Sequence, residues 1–102
     1  MNKRIKAKWV KALRSGKYKQ ARGVLKKDTR FCCLGVLTDI RSKSTGIRFS
    51  GRPSNPDMPS SSTCGWAGFD LDQATTLAKM NDGEGQPNRS FKYIANWIEK
   101  HL

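Results

Sequence analysis

A small α+β domain, mainly helical and carrying one short β-hairpin, is what this sequence predicts, on three observations. Apolar residues recur at helical spacing near both ends of the chain. Two tripeptides, Gly23-Val24-Leu25 and Arg30-Phe31-Cys32, flank the polar stretch Lys26-Lys27-Asp28-Thr29. A length of 102 residues supports one modest hydrophobic core but not two independently stable halves. Residues 1–102 are therefore expected to form a single domain, interrupted by a Ser/Pro-rich loop at about 42–63.

The first helix is expected from Lys3 to Ser15, where Ile5, Trp9, Ala12 and Leu13 fall on one face and Lys11 and Arg14 on the other. Gly16 ends it by supplying a left-handed residue. The hairpin follows. Cys33 to Arg41 is apolar enough to be buried, as helix or strand, and Gly35 within it marks a close backbone approach. In the loop, which includes Pro53, Pro56 and Pro59, Ile47-Arg48-Phe49 alternates like an edge strand. Asp70 and Gln73 have the spacing of a capping box and open a helix through Leu71, Ala74, Leu77 and Ala78, which Asn81-Asp82-Gly83 closes as a turn. After a polar connection at Glu84–Arg89, Ser90 caps a last helix whose Phe91, Ile94, Ala95, Ile98 and Leu102 face inward, with Trp97 at the flank. The first and last helices are expected to pack together through these residues.

Charge is the strongest functional signal. Of 20 Lys and Arg, twelve fall in residues 1–30, with Asp28 as the single acid there; residues 31–102 hold eight cations and seven acids. Lys3, Arg4 and Lys6 sit in the first turns of a helix, where the dipole disfavours positive charge, so helix stability does not account for them. Concentrated positive charge repels itself and attracts polyanions. A phosphate-binding surface is expected from Lys8, Lys11, Arg14, Lys19, Arg22, Lys26, Lys27 and Arg30, with Tyr18 and Gln20 as specific contacts. Trp9 and Phe31 offer aromatic faces but fall at positions required by the core.

Other chemistries are less well provided for. The stretch Phe31-Cys32-Cys33-Leu34-Gly35 sets a cysteine at a helix N-terminus, where the dipole and Arg30 lower a thiol pKa, yet a cysteine hydrolase needs a base, and the sole histidine is His101. Cys32, Cys33, Cys64 and His101 would supply four zinc ligands, but adjacent cysteines diverge rather than chelate. Neither metal nor cofactor is expected. The connection from Asn81 to Ser90 is too long for a helix-turn-helix, and no Gly-rich phosphate loop is present. Asn81-Asp82 reads as an ordinary helix-ending turn, with a role in orienting a base or sugar as the alternative. No apolar run reaches membrane-spanning length, and the N-terminal segment has no apolar signal core, so reduced thiols in a cytoplasm are expected.

The series Trp9, Ala12-Leu13-Arg14-Ser15-Gly16, Tyr18, Gln20, Gly23, Leu25 and Phe31-Cys32-Cys33-Leu34-Gly35-Val36-Leu37 resembles a family of small phage and prophage proteins. Leu77, Asn81-Asp82, Ser90-Phe91, Ile94-Ala95 and Trp97-Ile98 continue the likeness, which skips the Ser/Pro-rich middle. The resemblance implies a viral setting in a host cytoplasm and carries over no catalytic residues. The expected function is a non-enzymatic binding protein that engages nucleic acid or a nucleotide and inhibits a host defence system. Docking on an acidic host protein surface is the alternative, and sequestration of a small nucleotide in a closed basic pocket is a third.

Overall fold

The computed structural model describes residues 1–52 and 55–102, with side chains described outside 53–57. Helix α1 spans Lys3–Arg14. Asn2 starts it by accepting the Ile5 N–H at 3.0 Å, and Gly16 lies past its end at φ 76°. The buried face is Ile5, Trp9, Val10 and Leu13, with Ala12 only partly covered, so the apolar stripe is rotated toward Val10 relative to expectation.

Next come three two-residue strands, β1 (Lys19–Gln20), β2 (Lys26–Lys27) and β3 (Arg30–Phe31), in the order β1-β3-β2. β2 and β3 form the expected hairpin, but Lys26 and Lys27 are strand residues, pairing with Phe31 and Arg30. The turn is thereby reduced to Asp28-Thr29, with Asp28 at φ 55°. A two-residue turn with positive φ matches the twist of the flanking strands, and a short acidic side chain tolerates that conformation. β1 runs parallel to β3 on its other side, an addition to the hairpin that the sequence does not announce. Two further hydrogen bonds lengthen the ladders, Ala21 N–H to Phe31 O at 2.8 Å and Cys32 N–H to Leu25 O at 3.1 Å.

The apolar stretch after the hairpin is a helix, α2 (Cys33–Thr45), closed by Gly46 at φ 75°. The expected 42–63 loop is therefore shorter, and it contains structure. β4 (Gly51–Arg52) and β5 (Asn55–Pro59) pair antiparallel, and α3 (Ser61–Ala67) begins inside it. Pro53, part of that expected loop, lies outside the described residues. Ile47-Arg48-Phe49 is not a strand: Ile47 is exposed, while Phe49 turns its ring edge to Phe31 at 6.2 Å. Met58 instead reaches the core from β5. α4 (Leu71–Asp82) opens with the Asp70/Gln73 capping box, both halves formed. Asn81 and Asp82 belong to its last turn, and Gly83 at φ 81° performs the reversal expected of all three. α5 (Phe91–His101) is capped by Ser90, buries Phe91, Ile94, Ala95 and Ile98, and packs on α1.

These elements enclose one core in a single α+β domain. Trp9 lies at its centre, fully buried, donating its indole N–H to Cys33 O at 2.9 Å and facing Phe69 at 5.9 Å between ring centroids. Burial of side chains such as Leu34, Leu37, Leu77, Ile94 and Ile98 stabilises the fold by roughly 1.5–3 kcal/mol each.

Gly35 explains how α2 meets the sheet. A Cβ there would sit 1.8 Å from Leu25 O, the same carbonyl that accepts the Cys32 N–H. Gly35→Ala is expected to lower the unfolding free energy by about 3 kcal/mol, because backbone rather than a pliable side chain must give way. Gly65→Ala, in α3 with open space around it, should be neutral or stabilising by up to about 1 kcal/mol. Denaturant titration of the two variants checks the contrast.

Candidate functional site

Strand pairing assembles the cations. Lys19 is the register partner of Arg30, and Arg30 of Lys27. Paired residues on neighbouring strands point to the same face, at a spacing of about 4.8 Å. Lys19, Arg30 and Lys27 therefore form one exposed row across the whole sheet. No hydrogen bond or ion pair joins their side chains to another described residue.

The opposite face carries Gln20, Phe31 and Lys26. Phe31 meets Tyr18 edge-on at 5.1 Å, and the Lys26 ammonium lies 5.3 Å from the Phe31 centroid and 5.8 Å from that of Phe49. Lys26, though exposed, thus belongs to an aromatic cluster and not to the row.

Two expected contact residues are engaged within the protein. Gln20 donates its amide to Asn81 Oδ1 and to Arg89 O, each at 2.8 Å. Tyr18 donates its hydroxyl to Asp39 at 2.5 Å, and Lys43 pairs with the same carboxylate at 2.9 Å. Burial, then the hydrogen bond and charge of Asp39, push the Tyr18 phenol above its ordinary pKa.

On α1, Lys8 and Lys11 are exposed and border a depression of about 230 Å³ together with Lys17 and Tyr18. Arg14 is less available, since it bridges Glu99 at 3.0 Å and Asn96 at 2.7 Å on α5. Arg14 also borders a groove of about 620 Å³ floored by Ala7 and Val10 and edged by Lys3, Lys6 and Lys11. Arg22 is exposed just before Gly23, where the chain turns between β1 and β2.

Asn81 and Asp82 hold this region from below. Asn81, fully buried, accepts from Gln20 and from Cys33 N–H at 3.2 Å, and donates to Ala21 O at 2.8 Å and Asp82 Oδ1 at 2.9 Å. Asp82 Oδ1 also accepts the Gly23 N–H at 2.8 Å. The pair is an internal clamp, with its polar atoms turned to the protein's own backbone.

The thiols run opposite to the activated setting considered from sequence. Cys32 does cap α2, its sulfur accepting the Gly35 N–H at 3.3 Å, but it is buried. Burial first, then the neighbouring Cys32 and Asp82, push the Cys33 thiol well above its ordinary pKa. Burial likewise raises that of Cys64. Among the described residues no group of three or more His, Cys, Asp or Glu is placed to hold a metal ion. His101 is exposed and occupied with Trp97. No helix among the described residues is long and apolar enough to cross a membrane.

In comparison with known proteins, the family model for a domain of unknown function, DUF8296, matches residues 1–70. No curated protein and no solved structure matches. The matched segment contains the cationic row, whereas Asn81 and α5 lie beyond it.

Asn81→Ala is expected to cost about 3 kcal/mol or more, since it strands the Cys33 N–H and Ala21 carbonyl without partners. Alkylation by iodoacetamide reads out the same clamp: the three thiols of the native protein should react slowly at pH 8 and rapidly once denatured. In Asn81→Ala, Cys33 should become reactive at lower denaturant than in the parent.

Proposed function

The chain belongs to the DUF8296 family, and from its surface charge we propose that it is a non-enzymatic protein that binds nucleic acid through the phosphate backbone. The observation that carries the reading is the row Lys19, Arg30 and Lys27, three like charges side by side with no neutralising partner among the described residues. Like charges directly opposite on a sheet destabilise it by roughly 0.2–1 kcal/mol per pair. A polymer of phosphates relieves that repulsion and gains the entropy of counterion release. Arg22, Lys8, Lys11 and Lys17 extend the positive surface.

Recognition on this surface is of backbone rather than sequence. The amide side chains suited to reading adenine edges, Gln20 and Asn81, are taken up internally, and phosphate contacts position a nucleic acid without specifying its sequence. The phage setting implied by the sequence resemblance makes the host cytoplasm the place of action and inhibition of a host defence system the use.

One observation favours docking on an acidic host protein as a second reading. The groove on α1 combines an aliphatic floor, Ala7 and Val10, with a cationic edge of Lys3, Lys6 and Lys11, which suits an acidic amphipathic segment.

Lys27→Gln with Arg30→Gln is expected to weaken binding of labelled duplex, single-stranded DNA and RNA by at least about tenfold at low salt. It should also reduce the slope of log K against log salt by about 1 for each phosphate contact removed. Its melting temperature should equal or exceed that of the parent, because the substitution relieves repulsion. Absence of any binding by the parent protein at low salt overturns the nucleic-acid reading. If Lys6→Gln with Lys11→Gln alone abolishes capture of an acidic protein partner, the second reading takes its place.

A further inference from the structure

α5 turns a different kind of surface outward. Tyr93, Trp97 and His101 are spaced four apart and follow one another along a single side of the helix, and Arg89, just ahead of the Ser90 cap, reaches Tyr93 from the connecting loop. They are already stacked in pairs. The Arg89 guanidinium carbon lies 4.3 Å from the Tyr93 ring centroid, and the Trp97 and His101 rings lie 4.6 Å apart at 21°. Tyr93 is 44% exposed, His101 is exposed and Trp97 half-buried. The core takes Phe91, Ile94, Ala95 and Ile98 from the same helix, with Trp97 packed against its flank and Tyr93 left outside.

Between the two pairs is a gap. Tyr93 and Trp97 make no ring contact with each other, and with Asn96, Lys100 and His101 they line a shallow depression of about 260 Å³. Four residues of helix rise about 6 Å, so Tyr93 and Trp97 stand about one helical turn apart, both lining the depression. Asn96 and Lys100 add polar groups at its rim.

Charge favours an anionic chain here as well. Lys92 and Lys100 are exposed on α5, and the one acid of the helix, Glu99, is held by Arg14 at 3.0 Å. Arg14 thus neutralises the carboxylate that would otherwise repel phosphate beside the stripe.

We propose that this face of α5 is a nucleobase-stacking platform that seats an unpaired base between Tyr93 and Trp97, with the strand's phosphates running over Lys92 and Lys100. The inference rests on the reading of the protein as a nucleic-acid binder, and it narrows the partner to single strands. A duplex hides its base faces, whereas aromatic side chains bind the exposed faces of single strands with little regard to sequence.

The test is fluorescence anisotropy at low salt with three probes: an oligothymidylate, an abasic phosphodiester of the same length, and a duplex. The parent protein should bind oligothymidylate about tenfold more tightly than the abasic strand, with quenching of tryptophan emission on binding. Tyr93→Ala, a change at an exposed position outside the core, should close that gap and leave binding of the abasic strand unchanged. Equal affinity of the parent for the two strands overturns the platform; if both are still weakened by Lys27→Gln with Arg30→Gln, backbone binding by the sheet survives without it. Base-dependent binding that is indifferent to Lys27→Gln with Arg30→Gln keeps the platform and removes the sheet row as the site. Failure to bind any of the three probes overturns both readings.

Discussion

The side-chain amide of Asn81 has two acceptor positions and two donor hydrogens, and the protein occupies all four. Its partners come from three elements, Gln20 and Ala21 at β1, Cys33 at the start of α2, and Asp82 beside it on α4. Because Asn81, Cys33 and Ala21 are buried, the Asn81 amide, the Cys33 N–H and the Ala21 carbonyl have no water as an alternative. The consequence for the surface is geometric. Side chains alternate along a strand, so drawing Gln20 inward turns Lys19 outward, and burying Phe31 among Tyr18 and Phe49 turns Arg30 outward. Lys27 follows from its register with Arg30. The cationic row is the outer face of a sheet whose inner face is fixed by one asparagine and an aromatic cluster.

Three carboxylates outside the hairpin are likewise engaged away from that row. Asp82 is held by Asn81 and the Gly23 N–H, Asp39 by Tyr18 and Lys43, and Glu99 by Arg14. Each of these carboxylates comes from the nearly neutral two-thirds of the chain and engages the basic third at its margins, without reaching Lys19, Arg30 or Lys27. Exposed ion pairs such as Arg14–Glu99 contribute little stability, about 0–1 kcal/mol. Their effect is on where the positive potential remains open, and that is on the sheet.

Helices α1, α4 and α5 could be read from sequence because each carries its own period and punctuation: Gly16 after α1, Asp70 with Gln73 before α4, Ser90 before α5; α2 stayed open between helix and strand, and α3 fell inside the expected loop. Gly35 was readable as a close approach for the same local reason, though its contact at Leu25 was not. The row was not readable as a row. A strand of two residues has no period, and the parallel pairing of Lys19 with Arg30 is a long-range choice made by the core. Ser/Pro-rich composition likewise concealed β4 and β5, whose pairing is a backbone matter. Asn81-Asp82-Gly83 has the composition of a turn, and only Gly83 uses it that way. The partners of Asn81 at Gln20 and Ala21 lie about sixty residues upstream and leave no local trace. In α5, Trp97 was visible as a flank residue, but Arg89 read as connector because its stacking on Tyr93 is settled only when the loop folds back onto α4 through the Arg89 N–H to Met80 O bond.

The family match over residues 1–70 therefore contains the charged row and its aromatic cluster without the Asn81 clamp or α5. Within that segment, α1 lacks the helix α5 on which it packs, and Gln20, Ala21 O and Cys33 N–H have no amide to meet unless α4 supplies Asn81. Unpaired buried polar groups and an uncovered apolar helix face are the two conditions a small domain tolerates least. The charge resides in the first third of the sequence, but its arrangement as a flat row belongs to the whole fold. The C-terminal helices supply both the clamp beneath the sheet and, on the outward side of α5, the aromatic surface on which the single-strand preference rests.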